Sequence, residues 1–326
     1  MRAVVLDAPG AADRLVVREV PLPPERDGWV RIRVEAFGLN RSELMTRLGL
    51  SPGVTFPRVL GIECVGVVDA APVGSGLEVG QQVAAMMGEM GRAYDGGYAE
   101  FTSVPVAQVI PIRTALPWEV VGALPEMIQT AYGSLSTGLD VQPGQTLLVR
   151  GGTSSVGLAA AALARQRGAT VLATTRRADR LDFLRERGID HPLLDTGEIA
   201  SAVRDLYPGG VDAALELVGT PTLPDTLRAV RVHGTVCFTG LLSNEWTVKD
   251  FYPMDYLPAG VRLTAYSGEA SDLPADVLQR VLDAVAYGSL AITVHHTYDG
   301  LDQVARAHAD MESNAAMGKL VVRVRH

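Results

Sequence analysis

One stretch of the sequence, QTLLVRGGTSSVGLAAAALARQRGA, limits the possible folds more than any other. It is typical of a short apolar strand, a tight glycine turn and an alanine-rich helix. Strand and helix patterns then alternate along the chain through ATVLATT, ADRLDFLRERG, VDAALELVG, LPDTLRAVRVHG and TVCFTG. This alternation predicts right-handed βαβ units and a parallel sheet covered by helices.

The N-terminal part has a different pattern. Its short β-branched runs, such as MRAVVLDA, WVRIRVEAFGL and VLGIECVGVVDA, are interrupted by proline and glycine. They predict a partly closed antiparallel barrel or sheet. Towards the C-terminus, VLQRVLDAVAYGSL and LDQVARAHADMES predict helices, and KLVVRVRH predicts a closing strand. A length of 326 residues is sufficient for two such domains.

Composition excludes several function classes. The formal charge of −8 argues against a general nucleic-acid binder, because phosphate backbones attract clustered lysine and arginine. Cys64 and Cys237 are the only cysteines, so a disulfide scaffold is excluded and reduced thiols are expected. We find neither a signal-peptide pattern nor an apolar segment of roughly 20 residues. These features predict a cytoplasmic protein without nucleic-acid or membrane partners.

The glycine turn consists of Gly152, Thr153, Ser154, Ser155, Val156 and Gly157. It departs from G-x-G-x-x-G because Ser154 replaces the middle glycine. Gly152 is expected to permit the sharp turn, and Gly157 to let the helix pack against its strand. The helix N-terminus would then bind a diphosphate, with Ser154 and Ser155 adding hydroxyl donors. The alternative is a glycine-rich connection without a ligand, but the βαβ context and later strand-end glycines Gly219 and Gly240 favour a dinucleotide.

The end of the second strand of this predicted sheet indicates which dinucleotide the protein binds. An NAD-selective site usually has an acidic residue there that binds the ribose 2′-hydroxyl. This chain has Thr174 and Thr175 followed by Arg176, with Arg180 close behind. A guanidinium can bind a 2′-phosphate through two hydrogen bonds, whereas a carboxylate would repel it. We therefore predict NADPH; Asp179 is the residue that weakens the argument.

These residues and the N-terminal half resemble the medium-chain dehydrogenase/reductase superfamily, and most of all its zinc-independent quinone oxidoreductase branch. The matching segments are VEAFGLNRSELMTRLG, FPRVLGIECVGVV, GGYAEF, LPEMIQTAYGSL, the glycine turn, VDAALELVGTPTLPDTL and MGKLVV. The resemblance implies a Rossmann-type doubly wound parallel sheet domain plus a β-rich GroES-like catalytic domain. The expected division is residues 1–121 (catalytic), 122–262 (NADPH-binding) and 263–326 (returning to the catalytic domain). It also implies a homodimer.

Two positions distinguish this chain from the zinc alcohol dehydrogenases of the superfamily. Asn40 stands where they carry a cysteine ligand, and Ile62 where they carry a histidine. The adjacent His295 and His296 have no evident ligand partner, because neighbours on a strand face opposite sides. We therefore expect no metal. Without a Lewis acid, the acceptor should already be electrophilic, such as a quinone or an α,β-unsaturated carbonyl.

The predicted function is thus a zinc-independent NADPH-dependent oxidoreductase, with Asn40 as a catalytic donor to the developing oxyanion. A 2-alkenal or enoyl-thioester reductase and a non-catalytic NADPH-binding sensor or structural protein are the alternatives. Relatives with quinone activity often carry tyrosines where Met45 and Asp195 stand here. The change at Met45 weakens the quinone assignment. The change at Asp195 leaves recognition of the 2′-phosphate to Arg176 and Arg180.

The resemblance implies further cofactor contacts. Besides Asn40, they are Thr130, Leu217, Val218, Gly240, Leu241, Tyr266, Ser267 and Asn314. The Met- and Gly-rich stretch AAMMGEMGRAYDGG would line an apolar substrate pocket or form plain core. Trp246, Tyr252 and Tyr256 would form another wall of the substrate cleft.

Overall fold

The computed structural model describes residues 1–326, which form two compact units. The discontinuous unit comprises Met1–Met127 and Glu269–His326, and the central unit comprises Ile128–Gly268. The chain therefore passes between units after Met127 and after Gly268, a few residues beyond the crossings expected at 121 and 262.

The strands, in chain order, are β1 (Arg2–Leu6), β2 (Leu15–Glu19), β3 (Trp29–Gly38), β4 (Arg58–Val59), β5 (Glu63–Ala70), β6 (Gln82–Met86), β7 (Phe101–Pro105), β8 (Val109–Pro111), β9 (Thr146–Arg150), β10 (Thr170–Thr175), β11 (His191–Leu194), β12 (Val211–Glu216), β13 (Val230–Phe238), β14 (Arg262–Ala265), β15 (Val294–Asp299) and β16 (Lys319–Arg323). The α-helices are α1 (Arg41–Arg47), α2 (Trp118–Val121), α3 (Pro125–Gly133), α4 (Ser155–Gln166), α5 (Leu181–Glu186), α6 (Ala200–Leu206), α7 (Leu223–Ala229), α8 (Pro253–Tyr256), α9 (Ala275–Ala286) and α10 (Val304–Glu312).

The central unit contains a six-stranded parallel sheet in the order β11-β10-β9-β12-β13-β14. Counted within the unit, this is the order 3-2-1-4-5-6 of doubly wound dinucleotide-binding sheets. Leu148, Leu172 and Val236 are fully buried in its core. Apolar residues on both faces of these strands explain their near-continuous hydrophobic sequences. The predicted Rossmann-type sheet is confirmed.

The discontinuous unit contains a seven-stranded, mainly antiparallel sheet and a separate three-stranded sheet. The larger sheet follows β15-β16-β3-β5-β6-β8, and β7 also pairs with β3. The C-terminal strand β16 pairs with β3, with Val321 opposite Gly38, so that the tail completes a sheet started by the N-terminal part. This confirms the predicted β-rich GroES-like domain as a second unit of the chain.

The sequence prediction was wrong about one boundary. LPDTLRAVRVHG was expected to be one helix, but α7 ends at Ala229 and β13 begins at Val230. Val230 and Val232 are β-branched and suit a strand that pairs with β12. None of the helices combines the length and the apolar character needed to span a membrane.

Candidate cofactor and active site

The glycine turn joins β9 to α4 at the carboxyl edge of the central sheet. Gly151, rather than Gly152, has the left-handed backbone conformation, with φ of 93°. The expectation that Gly152 provides the sharp turn is therefore corrected. Gly152 is required for close packing instead, since a Cβ there would lie 2.7 Å from the Cβ of Ala173.

Ser154 replaces the middle glycine because it caps α4. Its hydroxyl oxygen accepts a hydrogen bond from the Gly157 N–H at 3.1 Å, and its hydroxyl donates to the Gly151 carbonyl at 2.8 Å. A Cβ on Gly157 would lie 2.6 Å from the Gly151 carbonyl oxygen. The turn is thus closed on itself, and the N-terminus of the 12-residue helix α4 is held at the sheet edge.

The loops after β12 and β13 reach the same edge. The buried carboxylate of Glu216 accepts hydrogen bonds from the Val218 and Gly219 N–H groups at 2.7 and 3.0 Å. The Gly240 N–H donates to the Glu216 carbonyl at 3.0 Å. The predicted residues Leu217, Val218, Gly240 and Leu241 therefore lie beside one another, as strand-end crevices of this sheet type require.

The end of β10 carries a cluster of arginines. Arg176 and Arg177 are exposed, whereas Arg180 is buried. Asp179, the residue that weakened the NADPH prediction, forms an ion pair with Arg177 at 2.5 Å. Burial, together with the nearby charges of Arg177 and Arg176, lowers the pKa of Arg180, whereas Asp179 raises it. Positive charge thus dominates this strand end.

Thr174 and Thr175 connect the arginines to the glycine turn. The Thr174 hydroxyl oxygen accepts a hydrogen bond from the Gly151 N–H at 3.1 Å. The Thr175 hydroxyl oxygen accepts one from the Arg177 N–H at 3.3 Å. These contacts place β10 and the turn in a fixed register beside the predicted ribose position.

Thr130 and Tyr266 both contact Gln129, which the sequence prediction did not include. The Gln129 amide donates to the Tyr266 hydroxyl at 2.9 Å, and the Thr130 hydroxyl donates to the Gln129 oxygen at 3.2 Å. Gln129 is fully buried, and a Cβ on Gly268 would collide with it. A buried polar residue within the apolar segment MIQTAYG was the available signal. Ser267, next to Tyr266, is exposed.

In the discontinuous unit, Asn40 lies in a buried polar cluster at the start of α1. Its amide nitrogen donates to Glu43 Oε1 at 3.2 Å and to Glu63 Oε1 at 2.9 Å. The Lys319 ammonium donates to the Asn40 oxygen and forms an ion pair with Glu63 at 2.8 Å. Glu126 lies 3.4 Å from the same ammonium. The Asn40 side chain is therefore held on both its donor and its acceptor side.

Charges within this cluster shift each other's protonation. Burial, and next the Glu63 carboxylate, raise the pKa of Glu43 to about 8. Burial alone would lower the pKa of Lys319, but Glu63 and Glu126 outweigh it and raise that pKa. Glu43 Oε2 is buried without a hydrogen-bond partner. A protonated Glu43 near a charged Lys319 is the state that these two shifts favour near neutral pH.

The cluster does not fit a zinc ion. Ile62 has no ligand atom; its backbone N–H donates to Glu43 Oε1 at 3.2 Å. The Glu63 carboxylate is occupied by Asn40 and by the Lys319 ammonium, whose charge would oppose a metal cation. No group of three or more histidine, cysteine, aspartate or glutamate side chains is arranged to hold a metal. His295 and His296 are both exposed.

The remaining candidates lie in several places. Asn314 follows α10 with φ of 55°, and its side-chain oxygen accepts from Arg41. Met86 and Met90 are buried, and Met90 belongs to the core of the discontinuous unit, which favours the plain-core alternative for this Met-rich stretch. Trp246 and Tyr252 in the central unit are exposed.

Comparisons with known proteins agree with this fold. The family described as alcohol dehydrogenase GroES-like domain matches residues 26–114, and the family described as zinc-binding dehydrogenase matches residues 187–322. A probable quinone oxidoreductase of Schizosaccharomyces pombe is 28% identical, covering 96% of this chain and 94% of the relative.

Two further similarities concern architecture. A highly reducing polyketide synthase of Penicillium oxalicum is 27% identical over 97% of this chain, which spans only 13% of that synthase. The structure of mycobacterial Rv1454c complexed with NADPH has a TM-score of 0.87 and 27% identity, covering 99% of each chain. With the parallel sheet, the glycine turn and the GroES-like unit, these similarities show that the chain is an oxidoreductase of the medium-chain dehydrogenase/reductase superfamily, of the quinone oxidoreductase-like type.

Proposed function

We propose that the protein is a zinc-independent, NADPH-dependent oxidoreductase that transfers hydride to a quinone or an α,β-unsaturated carbonyl. The observation that carries this proposal is the carboxyl edge of the central sheet. There the capped glycine turn lies beside a strand end that carries arginines, and the exposed Asp179 is paired with Arg177. This edge suits a dinucleotide with an additional phosphate.

The buried cluster around Asn40 supports the proposed acceptor class. Ile62 has no ligand atom, and Glu63 is occupied by Asn40 and Lys319, which argues against a bound Lewis acid that could polarise a simple ketone. NADPH supplies the hydride when it is bound. Acceptors that are already electrophilic need only a hydrogen-bond donor for the developing oxyanion.

Asn40 is the residue proposed for that donor. Its amide has two N–H groups, directed at Glu43 and Glu63, and the bond to Glu43 is the longer of the two. We propose that this longer bond is exchanged for one to the substrate oxygen. Lys319, which donates to the Asn40 oxygen, then keeps the amide oriented.

An acceptor panel tests the function. NADPH oxidation is followed with quinones, enals, enones and simple alcohols, using protein treated with a chelator and untreated protein. We expect turnover of quinones or enones that the chelator does not change, and NADPH affinity that falls more than NADH affinity in Arg176→Ala. Zinc-dependent alcohol oxidation would refute the proposal. Tight NADPH binding without turnover of any acceptor would favour the sensor alternative.

We also propose a homodimer and a cytoplasmic location. Strand β14 forms one edge of the central sheet and pairs only with β13, and Leu263 on it is exposed. An unpaired edge strand with exposed apolar residues is a template for pairing with a second copy. The two buried, unpaired cysteines are consistent with a reducing compartment.

A further inference from the structure

Arg150 is the last residue of β9, directly before the glycine turn, and its side chain is fully buried beneath the carboxyl edge of the sheet. Its Nε and Nη2 donate to the two oxygens of Asp195 at 2.8 and 2.9 Å. Nη1 donates to Asp225 at 2.8 Å and to the Thr226 hydroxyl at 3.1 Å. The bidentate geometry is one that arginine forms and lysine cannot.

These contacts bring together segments that surround the predicted cofactor edge. Asp195 also accepts from the Thr174 hydroxyl at 3.3 Å, and the Thr174 oxygen in turn accepts from the Gly151 N–H. The Asp195 N–H donates to the Thr175 carbonyl at 2.8 Å. Arg150 is therefore one hydrogen-bonded residue away from the end of β10, where the ribose 2′ position of a dinucleotide is expected.

The charges at this place are unbalanced without Arg150. Burial alone would raise the pKa of Asp195, but the hydrogen bonds and charge of Arg150 outweigh it and hold that pKa below its usual value. Asp195 is thus ionised within a buried network that also contains Asp225. Removal of the guanidinium would leave the Asp195 carboxylate beside β10 without its cation, and a buried unpaired charge acts over a longer range than an exposed one.

We propose that Arg150 is a positioning residue that sets the preference for NADPH by neutralising Asp195 and holding it against Thr174. In this role Arg150 keeps the end of β10 compatible with the negative charge of a 2′-phosphate, which Arg176 and Arg180 would contact. This inference rests on the proposed NADPH-dependent function. It also explains how an aspartate can stand at position 195 without opposing the 2′-phosphate.

The test measures dissociation constants for NADPH and for NADH by direct titration, without any acceptor. In Arg150→Met, the NADPH constant is expected to rise roughly tenfold more than the NADH constant, because only NADPH brings a charged group to this strand end. Adding Asp195→Asn to Arg150→Met removes the uncompensated carboxylate and should restore most of the NADPH preference. Equal losses of both cofactors in Arg150→Met would overturn the inference.

Asp195→Asn alone keeps the inference testable if Arg150→Met does not fold. It leaves the guanidinium with less opposing charge, so the NADPH preference over NADH should increase; an unchanged or reduced preference contradicts the inference. The control is Arg231→Met, which breaks the Arg231–Asp212 pair (2.7 Å) at the amino ends of β12 and β13 in the same sheet. It should lower stability but leave the preference unchanged. Wild-type protein that binds neither dinucleotide would refute the proposed function itself, and this inference with it.

Discussion

At the scale of single residues, Glu43 is the side chain whose protonation should be visible in a stability measurement. Its pKa is about 8 in the folded protein, against 4.5 for a glutamate side chain in the unfolded chain. Between these two pH values, the Glu43 carboxyl is ionised in the unfolded chain but keeps its proton in the folded protein. The stability of the wild type relative to Glu43→Gln should therefore fall as the pH rises from about 5 to about 8, by about 1.4 kcal/mol per pH unit.

Denaturant unfolding of both proteins across this pH range checks the prediction. The charged groups that act on Glu43 are the Glu63 carboxylate, which raises its pKa, and the Lys319 ammonium, which lowers it. Glu78→Gln, at an exposed position, is the control. Stability curves for wild type and Glu43→Gln that run parallel from pH 5 to pH 8 would contradict the assignment.

Individual residues were predictable from sequence where one local segment carries the signal. The glycine turn and the arginines after β10 belong to this group. Lys319 and Arg150 do not, because their partners are distant along the chain: Lys319 meets Asn40 from 279 residues away, and Arg150 meets Asp225 from 75 residues away. Such pairings follow from sheet topology, which a local pattern does not contain.

At the scale of elements, the sequence predicts strands and helices that have a strong hydrophobic period, but it does not predict all of their boundaries. The strand patterns around β9, β10 and β12 and the helical pattern of α9 correspond to observed elements. The predicted helix that includes Val230 failed because β-branched residues and pairing with β12 favour a strand there. The short β11 and α6 were not predicted, since HPLL and ASAVRDL are too brief to show a period.

Helix α4 provides the prediction at this scale. Because the Ser154 hydroxyl oxygen accepts the Gly157 N–H, Ser154→Ala should lower the free energy of unfolding by about 1 kcal/mol. Ser154→Gly, which restores the middle glycine of the dinucleotide-binding pattern, should cost only a few tenths of a kcal/mol. Chemical denaturation of the three proteins measures both differences, and equal losses for alanine and glycine would show that the cap is not the cause.

For the whole molecule, the sequence resemblance implied a dimer, and the sheet topology supplies a place where two copies could pair. Val232 is exposed and lies beside Gly260, just before β14, so apolar surface continues from the edge strand onto its neighbour. A two-fold axis through such an edge would bring the same residues of both copies together. Each substitution on β14 would then change the interface at two symmetry-related positions.

Leu263→Lys tests this arrangement. A lysine on an edge strand opposes pairing, and two-fold symmetry would place two ammonium groups near each other in the interface. We expect the wild type to sediment as a dimer and Leu263→Lys to sediment as a folded monomer in analytical ultracentrifugation. Val79→Lys replaces a more exposed apolar side chain in the discontinuous unit, at 74% exposure against 38% for Leu263, and should remain dimeric. A dimer that persists in Leu263→Lys, or that dissociates equally in Val79→Lys, would place the interface elsewhere.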